Sequence, residues 1–313
     1  MSHTWSSQKY GTRWGLAFFH YSIFLLGRRF AYFFLYFVVF VYVAFFPSVR
    51  RICRPYLSRR FPGTGRPMFF FKSFVLVLNL GKILIDSAVL ESPGAGKIKA
   101  DFHDPADYHK IKNLNSGFII LMSHVGCWQV AMTALSRLNR PVNLLMLELP
   151  EKIIGTQARD NLAQRFKVIN PAQFLGGTLD MLNVLKNDEI LCIMGDRLFG
   201  NAAYALEMTF LGDRAAIPFS AYKLSAITQK PIVVLNTFKT GHSTYELSLP
   251  RIIHVPPRPG KTGRAYEPYA REYIETLEQY TKNHPYQFFN FYDMWDPKPI
   301  EPSDGNPARP APA

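Results

Sequence analysis

The longest apolar stretch runs from Phe30 to Phe46. It holds 17 apolar and tyrosine residues and ends at Pro47. As a helix it spans about 25 Å, at about 1.5 Å per residue, the short end of what crosses a bilayer. Trp14 to Leu26 is also rich in apolar residues and extends the anchor or lies in the interface. Residues 67–90 read as one or two amphipathic helices, with the Phe-rich part from Pro67 to Leu80 packing on the body or dipping into the membrane. Farther on, the pattern changes. Phe118–Met122, Val142–Leu147, Lys167–Ile169, Ile190–Met194, Pro231–Phe238 and Tyr245–Leu249 are short apolar blocks that read as strands, most of them buried. Between them, Trp128–Arg137, Leu175–Lys186 and Ala216–Thr228 read as helices, and Gly263–Lys282 as a long C-terminal one. Buried strands alternating with helices predict an α/β fold, a sheet covered by helices on both faces.

This pattern divides the chain into an N-terminal membrane anchor (1–47), a basic connector with amphipathic helices (48–90), an α/β domain (91–298) and a Pro/Ala/Gly-rich disordered tail (299–313). Within the second unit, residues 48–66 read as the Pro/Gly-containing connector itself.

Charge sharpens the reading of the anchor. The net charge is +13, with 36 basic and 23 acidic residues, and the first acid is Asp86. Lys9, Arg13, Arg28, Arg29, Arg50, Arg51, Arg54, Arg59, Arg60, Arg66, Lys72 and Lys82 all precede it, so the rest of the chain is nearly neutral. A nucleic-acid-binding protein spreads basic charge over its folded body. Here it is confined to the most hydrophobic region, which points to a membrane with anionic headgroups. Four basic residues precede the apolar run and six follow it between Arg50 and Arg66, an asymmetry that favours a cytoplasmic body. No small-residue cleavage site follows the run, which argues against a cleaved signal peptide. Cys53, Cys127 and Cys192 have neither metal-ligand spacing nor an even framework and fit a reducing compartment. Neither a glycine-rich phosphate loop nor a dinucleotide fingerprint is present.

The segment Ser123-His124-Val125-Gly126-Cys127-Trp128-Gln129 carries the chemistry. A histidine leaving a buried strand just before a helix sits where an α/β sheet exposes its catalytic groups. A carboxamide follows at Gln129, and the two side chains meet only if His124 lies in the turn and Gln129 in the first helical turn. Asp196 and Arg197 close another predicted strand, Ile190–Met194, at the same sheet edge. They read either as a structural pair in a turn or as a site in which Arg197 binds an acceptor phosphate or an acidic carrier arm. Asp213-Arg214 reads as a solvated turn.

His124, four residues and then a polar residue resembles the signature of the lysophospholipid acyltransferase superfamily. More narrowly, His124, Val125, Gly126, Cys127, Trp128 and Gln129 are similar to the motif of the lipid A late acyltransferases, the lauroyl and myristoyl transferases. The resemblance covers most of the chain. It includes Met194-Gly195-Asp196-Arg197-Leu198-Phe199-Gly200, Thr209-Phe210-Leu211-Gly212, Ala215-Ala216-Ile217-Pro218, Lys230-Pro231-Ile232-Val233-Val234 and His284-Pro285-Tyr286-Gln287-Phe288-Phe289.

The resemblance implies a glycerolipid-acyltransferase-like fold, a mixed sheet flanked by helices with an N-terminal anchor helix. It implies an O- or N-acyltransferase of the bacterial inner membrane, single-pass, with a cytoplasmic catalytic domain. The donor would be an acyl carrier protein or coenzyme A thioester, used as a co-substrate with no other cofactor and no metal. The acceptor would be a hydroxyl or amine of a lipid or glycolipid, and no nucleic acid is involved. His124 would be the base and Gln129 its orienting partner, the alternative being an acid from elsewhere in the chain, with Asp196 the first candidate; Gly126, Trp128, Asp196 and Arg197 would contact substrate. The basic connector would also steer an acidic carrier. The family has an acid where this chain has Gln129, and an amide lacks the charge-assisted bond, which is about twice as strong. That departure keeps two other readings open: a non-catalytic lipid-binding relative, and a thiol acyl hydrolase using Cys127 and His124.

Overall fold

The computed structural model describes residues 13–90, 98–146, 166–171, 177–198, 205–260 and 262–296, with side chains from residue 25 onward. The first twelve residues, Phe199-Gly200 and the Pro/Ala/Gly-rich tail lie outside the described residues.

At the centre is a seven-stranded mixed sheet in the order β1-β9-β8-β2-β5-β3-β4. Its strands are β1 (Lys99–Phe102), β2 (Phe118–Met122), β3 (Val142–Leu145), β4 (Lys167–Ile169), β5 (Ile190–Met194), β8 (Ile232–Lys239) and β9 (Thr244–Ile253). A separate hairpin, β6 (Ala205–Phe210) and β7 (Asp213–Pro218), pairs antiparallel. The helices are α1 (Arg13–Phe45), α2 (Pro47–Arg60), α3 (Arg66–Leu90), α4 (Pro105–Lys112), α5 (Trp128–Leu135), α6 (Thr178–Lys186), α7 (Ser220–Thr228) and α8 (Glu267–Asn283). The fold is α/β, a mixed sheet flanked by helices.

The site depends on the middle of the sheet. All five residues of β2 are buried, because β2 lies between β8 and β5 with both faces covered. This accounts for the unbroken apolar run Phe118-Ile-Ile-Leu-Met122, since a two-sided strand has no solvent face to alternate with. β2 and β5 are parallel, with Phe118 opposite Ile190 and Met122 opposite Met194. Whatever follows Met122 is therefore placed beside whatever follows Met194, at one edge of the sheet.

Two expectations change. Residues 48–66, read as a connector, form α2 over most of their length, with Pro47 at its first turn, where a missing N–H costs nothing. The predicted helix from Ala216 begins only at Ser220; Asp213–Pro218 is β7, and the turn falls at Leu211-Gly212, both at positive φ. Asp213 and Arg214 are exposed, as expected of a solvated pair, and Asp213 also accepts a 2.8 Å bond from Arg59 Nε at the surface. The strand β1 and the helix α4 were not anticipated; they contain Asp101, Asp107 and His109, with Asp104 capping α4, and their polar composition hides them.

The connector and the second apolar segment share a core with the sheet. Cys53, Tyr56 and Leu57 of α2 and Leu76, Ile83 and Leu90 of α3 belong to the same buried cluster as β2, β5 and β8. Ala31, Leu35, Val39 and Val43 of α1 form a second cluster with Leu78 and Ile85 of α3. Thus α3 is a middle layer, one face on the domain and the other on α1. Gly27, at φ 80°, interrupts α1 at the start of its apolar run.

Candidate active site

His124 leaves β2 and Asp196 leaves β5, each two residues beyond the paired Met122 and Met194. The strand register alone brings them together. Asp196 Oδ1 lies 2.8 Å from His124 Nδ1, and Asp196 Oδ2 accepts the His124 backbone N–H at 2.9 Å. One carboxylate thus fixes both the ring and the backbone of the histidine. The Asp196 side chain is fully buried and that of His124 is 27% exposed. Nδ1–H donating to the carboxylate selects the tautomer in which Nε2 carries a lone pair, and Nε2 has no partner among the described residues. A ring oriented by a buried acid through one nitrogen and open at the other is the geometry of a general base.

Electrostatics favour the neutral ring. Burial and then the Arg197 charge push His124 below its ordinary value, outweighing the opposite pull of Asp196. Burial alone would raise the Asp196 carboxyl, but the His124 ring, the hydrogen bonds from His124 and the Arg197 charge hold it below the usual carboxylate range. At neutral pH the pair is a neutral imidazole on an ionised carboxylate.

Gln129 does not have the place expected of it. Its Oε1 faces Cys127 Sγ at 3.5 Å, and the histidine's ring partner is Asp196. The cause is the turn. Gly126 sits at φ +52°, and a Cβ there would lie 2.0 Å from the Thr237 carbonyl oxygen. Its N–H donates to Gln287 O at 3.0 Å, and the Cys127 N–H donates to Thr237 Oγ1 at 2.9 Å. These bonds bend the chain between His124 and α5. Gly126 therefore acts as a turn residue, one that only glycine fits. Trp128, the first residue of α5, expected to contact substrate, is partly buried against the core.

Asp196, expected to touch substrate, instead holds the histidine. Arg197 is also largely committed inward: its Nε donates to Asn290 Oδ1 at 2.9 Å and its Nη2 to Phe289 O at 3.3 Å. Asn290 in turn donates to the Asp196 carbonyl at 2.9 Å. The C-terminal segment forms a strap. The Phe289 N–H donates to His124 O at 2.7 Å, Val125 bridges Phe288, and the Gln287 amide exchanges two bonds with the Lys239 backbone, at 2.8 and 3.0 Å. This explains the Gln in the closing motif. Asn290, just beyond it, and Tyr273, whose hydroxyl lies 2.6 Å from Ser123 Oγ, were missed by sequence reasoning. Nothing local marks either as part of the site; both arrive by long-range packing.

Cys127 is fully buried, with Sγ 3.5 Å from Ser87 Oγ, and burial pushes its thiol up to about 11. A buried thiol of that acidity, with no base bonded to it, is not an activated nucleophile. The groove between β6 and α8, about 400 Å³ and lined by Glu207, Arg271, Glu275 and Glu278 among others, includes neither His124 nor Asp196.

Two comparisons bear on the chain as a whole. The sequence profile described as bacterial lipid A biosynthesis acyltransferase matches residues 3–296. No curated protein matches it.

Proposed function

Since the chain belongs to the bacterial lipid A biosynthesis acyltransferase family, we propose that it transfers a fatty acyl group from a thioester to a hydroxyl or amine of a lipid or glycolipid, with His124 as the base and Asp196 as its acid partner. The observation that carries this reading is the 2.8 Å bond between His124 Nδ1 and Asp196. His124 Nε2 takes the proton from the acceptor as its oxygen or nitrogen attacks the thioester carbonyl. The tetrahedral intermediate collapses, the C–S bond breaks, and the departing sulfur takes the proton from the imidazolium, which releases the thiol and restores the neutral base. Asp196 stabilises the imidazolium, so the missing acid at Gln129 is no reason to read the chain as inactive. The donor is an acyl carrier protein or coenzyme A thioester, and the chemistry is the same with either.

The test is direct. The full chain in detergent is incubated with acyl-carrier and acyl-coenzyme A thioesters and a total bacterial lipid extract, and the lipids are analysed by mass spectrometry. Lipids heavier by one acyl group, with matching thiol release, are expected for the native chain and not for His124→Ala. Thiol release with no acylated lipid would identify a hydrolase, and neither product would favour a non-catalytic lipid-binding protein.

A further inference from the structure

Two helices, Leu25–Phe45 within α1 and α3, are long and apolar enough to cross a membrane. We infer that neither crosses it: the α1–α3 layer lies along the bilayer surface, inserted into one leaflet by the aromatic outer face of α1. The inference rests on membrane association and is independent of the dyad.

The first argument is attachment. From Phe69 to Leu90, α3 keeps one face on the domain core, through Phe69, Leu76, Leu80, Ile83 and Leu90. That is about 33 Å of helix at about 1.5 Å per residue, against a hydrocarbon thickness of about 30 Å. If α3 stood upright, the flank of the catalytic domain would have to stand in hydrocarbon with it. That flank is polar. Asn79 Nδ2 donates to Tyr286 O at 3.1 Å, and Lys239 Nζ lies 2.6 Å from Asp86 Oδ2. Even when paired, a charged pair and the irregular backbone around Tyr286 are costly there.

Both ends of the layer are fastened to the domain. At one end, Arg28 and Tyr32 of α1 meet the fully buried Asp86 of α3, at 3.3 and 2.6 Å, together with Lys239 and Tyr245 of the sheet. At the other, Tyr56 of α2 donates to Pro285 O at 2.7 Å and Arg60 to Thr281 O at 2.9 Å. Because α1 packs lengthwise on α3, it shares whatever orientation α3 has.

The second argument is the surface that remains. Phe30, Phe33 and Phe37 recur at helical spacing on the side of α1 away from α3 and are exposed, Phe33 at 61% and Phe37 at 56%; Phe40 is exposed on the flank of this face, where its ring also meets Phe70 of α3. Leu84 of α3 is also exposed, at 59%. Exposed arginines lie around this layer at Arg29, Arg51, Arg54 and Arg66, and no acid occurs before Asp86. An apolar face with a purely basic surround fits a leaflet with anionic headgroups. The in-plane layer also holds the catalytic turn at the membrane: Ser87 at the end of α3 touches Cys127, three residues after His124.

The experiment is a depth profile. Single nitroxide labels are placed by Phe30→Cys, Phe33→Cys, Phe37→Cys and Phe40→Cys in the full chain, whose native cysteines are buried. The protein is reconstituted in phosphatidylethanolamine–phosphatidylglycerol vesicles, and collision with oxygen and with a water-soluble nickel chelate gives the depth of each label. A single depth of about 5–10 Å at all four positions is expected. A profile deepest near Phe37 and shallow at both ends would show a crossing helix, and aqueous exposure at all four would deny the membrane face; either overturns the inference. Acyl transfer by the labelled variants, measured alongside, reports separately on the proposed function.

Discussion

Two buried aspartates divide the labour in this molecule. Asp86 and Asp196 are both fully inaccessible, and each is met by cationic or polar groups from elsewhere in the chain. Asp86 is saturated: Arg28, Tyr32, Lys239 and Tyr245 all converge on its two oxygens. Every donor there is consumed in joining α1, α3 and the sheet. Asp196 instead spends its oxygens on a single residue, the backbone and ring of His124, whose other nitrogen remains open. A carboxylate whose partners are all closed off is a fastening. A carboxylate whose charge reaches solvent through an imidazole is equipped for proton transfer. Burial and ion pairing alone do not separate structure from chemistry; the free end of the partner does.

The comparison can be broken in several ways. The largest expected effect is His124→Ala, a loss of about 100- to 10,000-fold in acyl transfer with an unchanged folding transition. Activity kept within a few-fold would remove the histidine from the chemistry. Next is Asp86→Ala, which leaves Lys239 and Arg28 unpaired in a largely buried place. It should cost about 3–5 kcal/mol of stability, read from denaturant unfolding in detergent. The turnover per folded molecule should stay close to native, and if turnover fell while stability held, the fastening reading of Asp86 would fail.

A smaller effect should appear in the pH profile. A base must be neutral to act, and burial and Arg197 hold His124 below its ordinary value of 6.5. The acid limb of kcat/KM should therefore have its midpoint below 6.5 and be flat through neutrality. Arg197→Gln removes one lowering influence, so the midpoint should move up. A midpoint that stayed put or moved down would mean that Arg197 does not act on the ring. The smallest effect is expected from Cys127→Ala: near-native activity and a stability cost of about 1 kcal/mol from a small buried change. An inactive but folded variant would reopen the thiol reading.

Much of this arrangement was legible in the sequence. The apolar blocks at Phe118–Met122 and Ile190–Met194 were long and unbroken enough to mark buried strands, and His124 and Asp196 were both placed at the same sheet edge. Their pairing was legible only as an alternative to Gln129, because it depends on β2 and β5 being neighbours in register, which strand patterns do not state. Proximity in sequence favoured Gln129, and the positive-φ turn at Gly126 is what turns that residue toward Cys127. The N-terminal helices were legible in another way. Hydropathy identifies α1 and α3 as long and apolar enough to cross a membrane, but only tertiary contacts show that α3 packs along one face on the core of the sheet. The strap at Gln287 to Asn290 was partly visible as a motif, yet its task of holding the catalytic turn emerges only from bonds that span more than a hundred residues of chain.

The central claim is that Asp196, and not Gln129, orients the base. The most direct measurement compares Asp196→Asn and Gln129→Leu side by side in the same acyl-transfer assay, with folding checked for both. Asp196→Asn keeps the shape but loses the charge that stabilises the imidazolium, so a loss of about 100-fold or more is expected, while Gln129→Leu should stay within a few-fold of the native chain. If Gln129→Leu were the crippled variant and Asp196→Asn nearly unaffected, the assignment would be contradicted.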